Sequence, residues 1–175
     1  LIALENNEYE IVKIFLEKMT KKNKVIEDDL KKALNIVMNK TKAKLSLLIL
    51  QKIIDFEIKI TNETLFLKAC EMGNIELTKL LIQEGINYNI ENEDGLNGIM
   101  IALKYSRQTE FIEFLLTLGI NVNKRNKQED TALLMVSRWG KIEDSIKLLI
   151  KYDADVNVLS KEGFTPLDSR KPSVF

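Results

Sequence analysis

Apolar positions along the chain fall into short helical faces separated by small polar turns. The runs IELTKLLIQ (75–83), TEFIEFLLT (109–117) and EDSIKLLIK (143–151) each place apolar residues three and four apart, the spacing of one buried helix face. Ile11, Val12, Ile14, Phe15 and Leu16 form a similar face near the start. The three runs end alike, in GINYN (85–89), GINVN (119–123) and DADVN (153–157). Gly85, Gly119 and Asp153 recur at one constant interval, and Asn89, Asn123 and Asn157 keep the same spacing. A shorter apolar segment precedes each run, as in TLFLKACEM (64–72) and TALLMVSRW (131–139). The pattern predicts a repeated pair of helices. A constant period in the range of roughly 20–50 residues marks a stacked array, because one such unit cannot bury its apolar face alone.

Local signals sharpen the unit. Thr64, Asn97, Thr131 and Thr165 recur at intervals of 33, 34 and 34 and precede apolar runs, so each is expected to N-cap a first helix. Asp28 suits the same role earlier in the chain. Pro166 follows Thr165 at the first helical position, where its missing N–H costs nothing. Gly73 and Gly140 stand where first helices must stop with a positive φ, and Ser106 holds that place between them. Gly85 and Gly119 end second helices by the same logic. Gly95 and Gly163 lie two periods apart in the following turns, with Glu129 midway. The segments from Ser106 to Gly119 and from Gly140 to Asp153 are one residue longer than that from Gly73 to Gly85, and the extra residue is placed in the turn between helices.

The unit resembles an ankyrin repeat. The resemblance rests on TLFLKACEMGNIELTKLLIQEGINYN (64–89), DGLNGIMIALKYS (94–106), TALLMVSRWGKIEDSIKLLIKYDADVN (131–157), EGFTPLD (162–168) and LIALENNEYEIVKIFLEK (1–18). Residues 19–58 fit least, through LKKAL (30–34) and LSLLILQKII (45–54) alone. The resemblance implies an all-α solenoid of stacked helix-turn-helix units joined by β-hairpin-like fingers. It implies one array over 1–175, with units 1–22 (partial), 23–58 (divergent), 59–91, 92–125, 126–159 and 160–175 (a partial cap whose helix Pro172 stops). The family's usual His in T-P-L-H is replaced by Leu67, Met100, Leu134 and Asp168, which implies fingers held less tightly.

Composition narrows the chemistry. Lys+Arg and Asp+Glu number 26 each, so nothing in the overall charge favours nucleic acid. The chain has no His and one Cys, which excludes an internal disulfide, a Cys/His zinc site and Ser-His or Cys-His catalysis. Cys70 occupies a small first-helix position and reads as a buried residue, not a reactive thiol. No phosphate-binding glycine loop is present, and the ENED turn (91–94) reads as a solvated acidic finger. No cofactor, metal or catalytic residue is expected. No apolar stretch approaches the ~20 residues of a membrane helix. The expected setting is the cytoplasm, of a host cell if the protein is an effector. The chain begins at Leu1, inside an amphipathic pattern, and reads as a fragment of something longer.

The resemblance also implies where a partner would sit: on the fingers and on the concave face of the first helices. The residues just before each first-helix stop are Glu71-Met72, Lys104-Tyr105 and Arg138-Trp139. Met72, Tyr105 and Trp139 are expected to form a ladder, flanked by Lys104 and Arg138. From the fingers, Glu93, Asp94, Leu96, Arg125, Lys127, Lys161 and Phe164 complete the expected contact set. Residues 13–44 carry ten Lys against four acids, and residues 45–103 nine acids against four Lys, so a charged partner would be steered. The expected function is a non-catalytic protein-interaction module. The alternative is a regulatory or targeting arm of a larger enzyme or channel. A monomer is expected, with end-to-end association open to it through exposed apolar ends.

Overall fold

The computed structural model describes residues 2–19, 24–39, 43–60, 62–106, 108–139 and 143–168. Among them run nine helices: α1 (Ile2–Lys18), α2 (Lys24–Asn39), α3 (Ala43–Asp55), α4 (Thr64–Met72), α5 (Ile75–Gln83), α6 (Gly98–Tyr105), α7 (Thr109–Thr117), α8 (Ala132–Trp139) and α9 (Glu143–Lys151). From α2 onward each even-numbered helix packs on the odd one that follows it. The even helices α2, α4, α6 and α8 pack successively on one another and make one layer. In the other layer α3 lies between α1 and α5, and α9 packs on α7. The core runs between the layers, with Phe66, Leu77, Leu81, Ile99, Leu103, Phe111 and Leu115 fully buried. Each such side chain contributes roughly 1.5–3 kcal/mol by leaving water.

The turns obey the period. Gly73, Gly85 and Gly119 have positive φ, as expected, and Asp153 adopts the same left-handed conformation at φ 63°. The closing motif has a reason for both of its Asn positions. The side chains of Asn87, Asn121 and Asp155 each accept the N–H two residues on, at 2.9, 2.9 and 2.8 Å. Asn123, at the motif's end, then reaches the next unit: its Nδ2 donates to the Asp153 carbonyl and its Oδ1 accepts from Asp155 N–H. Three residues separate α6 from α7, against two between α4 and α5, so the extra residue of that unit does fall between the helices; residues 140–142, where the other is expected, lie outside the described residues.

Several local expectations change. Asp28 lies inside α2 and caps nothing. The divergent segment folds as helices of 16 and 13 residues, longer than the nine-residue pair α4 and α5, so repeat register cannot locate its caps. Thr64 is already helical; the Asn62 carboxamide takes the cap role, accepting from the Thr64 N–H at 3.1 Å and hydroxyl at 2.6 Å. Asn97 does cap α6, accepting from Met100 N–H, and Thr131 caps α8 through Leu134 N–H. Thr165 and Asp168 bond reciprocally in a capping box. Ser106 stays right-handed at φ −84°, its hydroxyl donating to the Ala102 carbonyl. Ile11 and Ile14 of α1 are exposed, so the first apolar face is only partly covered. Gly140, Pro172 and the Phe15 side chain lie outside the described residues.

Cys70 is buried, as expected, and burial pushes its thiol well above its ordinary pKa. It helps set the spacing of α4 and α6. A Cβ on Gly98 would lie 2.7 Å from a Phe66 ring carbon and 3.0 Å from Cys70 Sγ. Gly98→Ala should therefore destabilise the array by about 1–3 kcal/mol through overpacking, measured by urea unfolding. Glu129 holds φ 66° where Gly95 and Gly163 stand in the neighbouring turns. Glu129→Gly should raise stability by roughly 0.5 kcal/mol, because relief of the left-handed strain exceeds glycine's entropic cost.

Candidate partner-binding groove

Three fingers project between the helix pairs, built alike. Asn92, Asn126 and Ser160 each donate their N–H to the carbonyl four residues on, from Leu96, Asp130 and Phe164, at 3.0, 2.9 and 2.9 Å. Their side chains close the tips. The Asn92 carboxamide accepts from Asp94 and Leu96 N–H, Asn126 from Gln128 and Asp130, and the Ser160 hydroxyl from Glu162 and Phe164. Adjacent fingers are tied together as well. Lys127 N–H donates to the Asp94 carbonyl at 2.9 Å, and Asn97 Nδ2 donates to the Asn121 carbonyl at 2.9 Å. Lys124 pairs with Glu91 at 2.7 Å. Where the usual His is missing, the fingers thus have other cross-finger bonds, and Leu67, Met100 and Leu134 at its place are buried.

Between the fingers and the ends of α6 and α8 opens a cavity of 280 Å³. It brings together five expected contact residues: Asp94, Leu96, Lys104, Arg138 and Trp139. Asn126, Gln128, Asp130 and Met135 complete its lining. Tyr105, 52% exposed, holds on α6 the place that Trp139, 40% exposed, holds on α8, and it is outside this cavity. Met72 is half-buried and packs on the core, so of the three expected ladder positions Tyr105 and Trp139 are the exposed ones. Glu93, Lys127, Lys161 and Phe164 are exposed on the fingers, outside the cavity.

Two expected contacts are committed within the chain. Arg138 pairs with Asp130 on its own finger and with Glu162 on the next, the latter at 3.2 Å. Arg125 donates from Nη1 to the Glu129 and Leu159 carbonyls at 2.7 and 2.9 Å, stapling one finger to the next. Leu96 lines the cavity but is 4% exposed and part of the core, so it offers a partner little surface. Asp130 is itself 5% exposed, and its Oδ1 has no hydrogen-bond partner. The Ser160 hydroxyl, the Glu162 N–H and the charge of Arg138 hold the Glu162 carboxyl below its ordinary pKa. The interaction therefore favours the folded state above the usual carboxylate range and fades as pH falls through the lowered value.

The finger closers Asn92, Asn126 and Ser160 were not among the expected functional residues, although they recur at the repeat period. Asp130 and Glu162 were missed as partners of Arg138. Only a pairing across 24 residues of sequence connects Glu162 to it.

An array of helix pairs stacked in register, with hydrogen-bonded fingers along one edge, defines a solenoid repeat scaffold. The profile for ankyrin repeats (three copies) matches residues 1–126 and again 99–169, and the chain belongs to the ankyrin repeat family. Ankyrin repeats are in general protein–protein interaction modules. No curated protein matches the chain. Among the described residues no helix is long and apolar enough to cross a membrane, and no cluster of His, Cys, Asp or Glu could hold a metal ion.

The Arg138 pairing predicts an asymmetry. Arg138→Met leaves the Asp130 carboxylate buried without its counter-charge and should cost about 1–3 kcal/mol in urea unfolding. Glu162→Gln, on the exposed side of the same guanidinium, should leave the midpoint near that of wild type.

Proposed function

We propose that the chain binds a partner protein, without chemistry, in the groove between its fingers and the even-numbered helices. The observation that carries this reading is the exposure of Tyr105 and Trp139, one repeat apart on consecutive first helices, with Trp139 walling a cavity. Large aromatic side chains left half in water at the lip of a cavity are the usual anchors of an interface. Rigid fingers support them, because Arg125, Arg138 and the cross-finger backbone bonds hold the rim in place before any partner arrives. Preorganisation of this kind lowers the ordering cost of association. Glu93, Asp94, Lys127, Lys161 and Phe164 make up the exposed rim.

Trp139→Ala, alone and with Tyr105→Ala, tests the proposal in a pull-down from source-cell extract, once circular dichroism shows that the variants fold. Trp139→Ala should weaken capture by about 2 kcal/mol or more. A variant that melts would make Trp139 a core residue. Equal capture by variant and wild type would move the site to the other face.

A further inference from the structure

The repeat carries its own template for an occupant of the cavity. Arg138 ends α8 and meets two carboxylates, Asp130 and Glu162. Lys104 stands one repeat earlier, at the same place on α6. The positions equivalent to Asp130 and Glu162, again one repeat earlier, are Leu96 and Gln128. Both acids are therefore absent where the cation is kept. Leu96, Gln128 and Lys104 all line the cavity, which has Trp139 on its wall. No carboxylate of the described residues pairs with Lys104, and its ammonium lies 5.1 Å from the centre of the Tyr105 ring.

We propose that this cavity receives one acidic side chain, Asp or Glu, from an internal segment of the partner, which pairs with Lys104 as Glu162 pairs with Arg138. The inference rests on the groove reading above and names the chemistry that groove selects. Trp139 supplies the apolar wall for the neighbouring residue of that segment. Asp94 and Asp130 also line the cavity and oppose a run of negative charge, which favours a single carboxylate in a mixed sequence over a polyanion such as RNA.

The test selects short random peptides displayed on phage against the folded chain, keeping those whose binding Trp139→Ala abolishes. The selected peptides should share an Asp or Glu. Its replacement by Asn should weaken binding about tenfold or more, the scale of a charge-assisted hydrogen bond. Lys104→Glu should lose the peptides and regain those carrying Lys at the acidic position. Gln128→Glu should restore the internal pair, raise the melting temperature and abolish binding. Peptides that depend on Trp139 but ignore Lys104→Glu and Gln128→Glu would overturn this inference and leave the groove reading standing. A selection that yields no Trp139-dependent peptide would overturn both. RNA homopolymer binding that competes with the peptides and needs Lys104 would replace the carboxylate with a polyanion and overturn the inference alone.

Discussion

Everything in this structure depends on one unit covering the apolar face of the next. A pair of nine-residue helices cannot form a closed core, and α4 with α5 would leave Phe66 and Leu77 in water without their neighbours. Stacking meets that need only if successive pairs keep one register. The constant spacing of the repeat is thus a packing constraint as well as a sequence regularity. The close approach of Gly98 to Phe66 and Cys70 shows how little space the register leaves between consecutive first helices.

The fingers follow from the same register. Asn92, Asn126 and Ser160 close their turns with equivalent bonds, although one is a hydroxyl and two are carboxamides. What the geometry requires is an oxygen acceptor at a fixed height, and either group supplies it. Family resemblance pointed to a weakened rim because the usual His is missing. The rim carries cross-links of other kinds, from Arg125, Asn97 and Arg138 and through the Lys127–Asp94 backbone bond, each reaching to an adjacent finger. Support of the rim here comes from a set of cross-links, not from one residue type.

The order of helices, the left-handed stops at Gly73, Gly85 and Gly119, and the caps at Asn97 and Thr131 were legible because local chemistry and period agree there. Asp28 and Thr64 misled for different reasons. The first sits in a segment whose helices outgrow the repeat, and the second is displaced by Asn62, whose side chain caps from two residues upstream. For the groove, the exposure of Tyr105 and Trp139 agrees with what the family resemblance implies for the residues just before each first-helix stop. The burial of Leu96 and the commitment of Arg138 and Arg125 were not legible, because each depends on a neighbouring finger whose position a local reading cannot supply. Repeat register could have found the Arg138 pairing, since comparing equivalent positions exposes the acids that one unit has and the other lacks.

The uneven covering of the stack has a kinetic side. Ile11 and Ile14 are exposed near one end, and Leu159 and Phe164 near the other, while Ile99, Leu103, Phe111 and Leu115 in the middle are sealed. In a linear array each unit is stabilised chiefly by its neighbours, so local opening is cheapest where the apolar face is least covered. The amides of α6 and α7 should then exchange with solvent more slowly than those beside the exposed residues. The cavity takes Lys104 from α6 and Trp139 from α8, so one of its walls stands on this sealed portion of the stack.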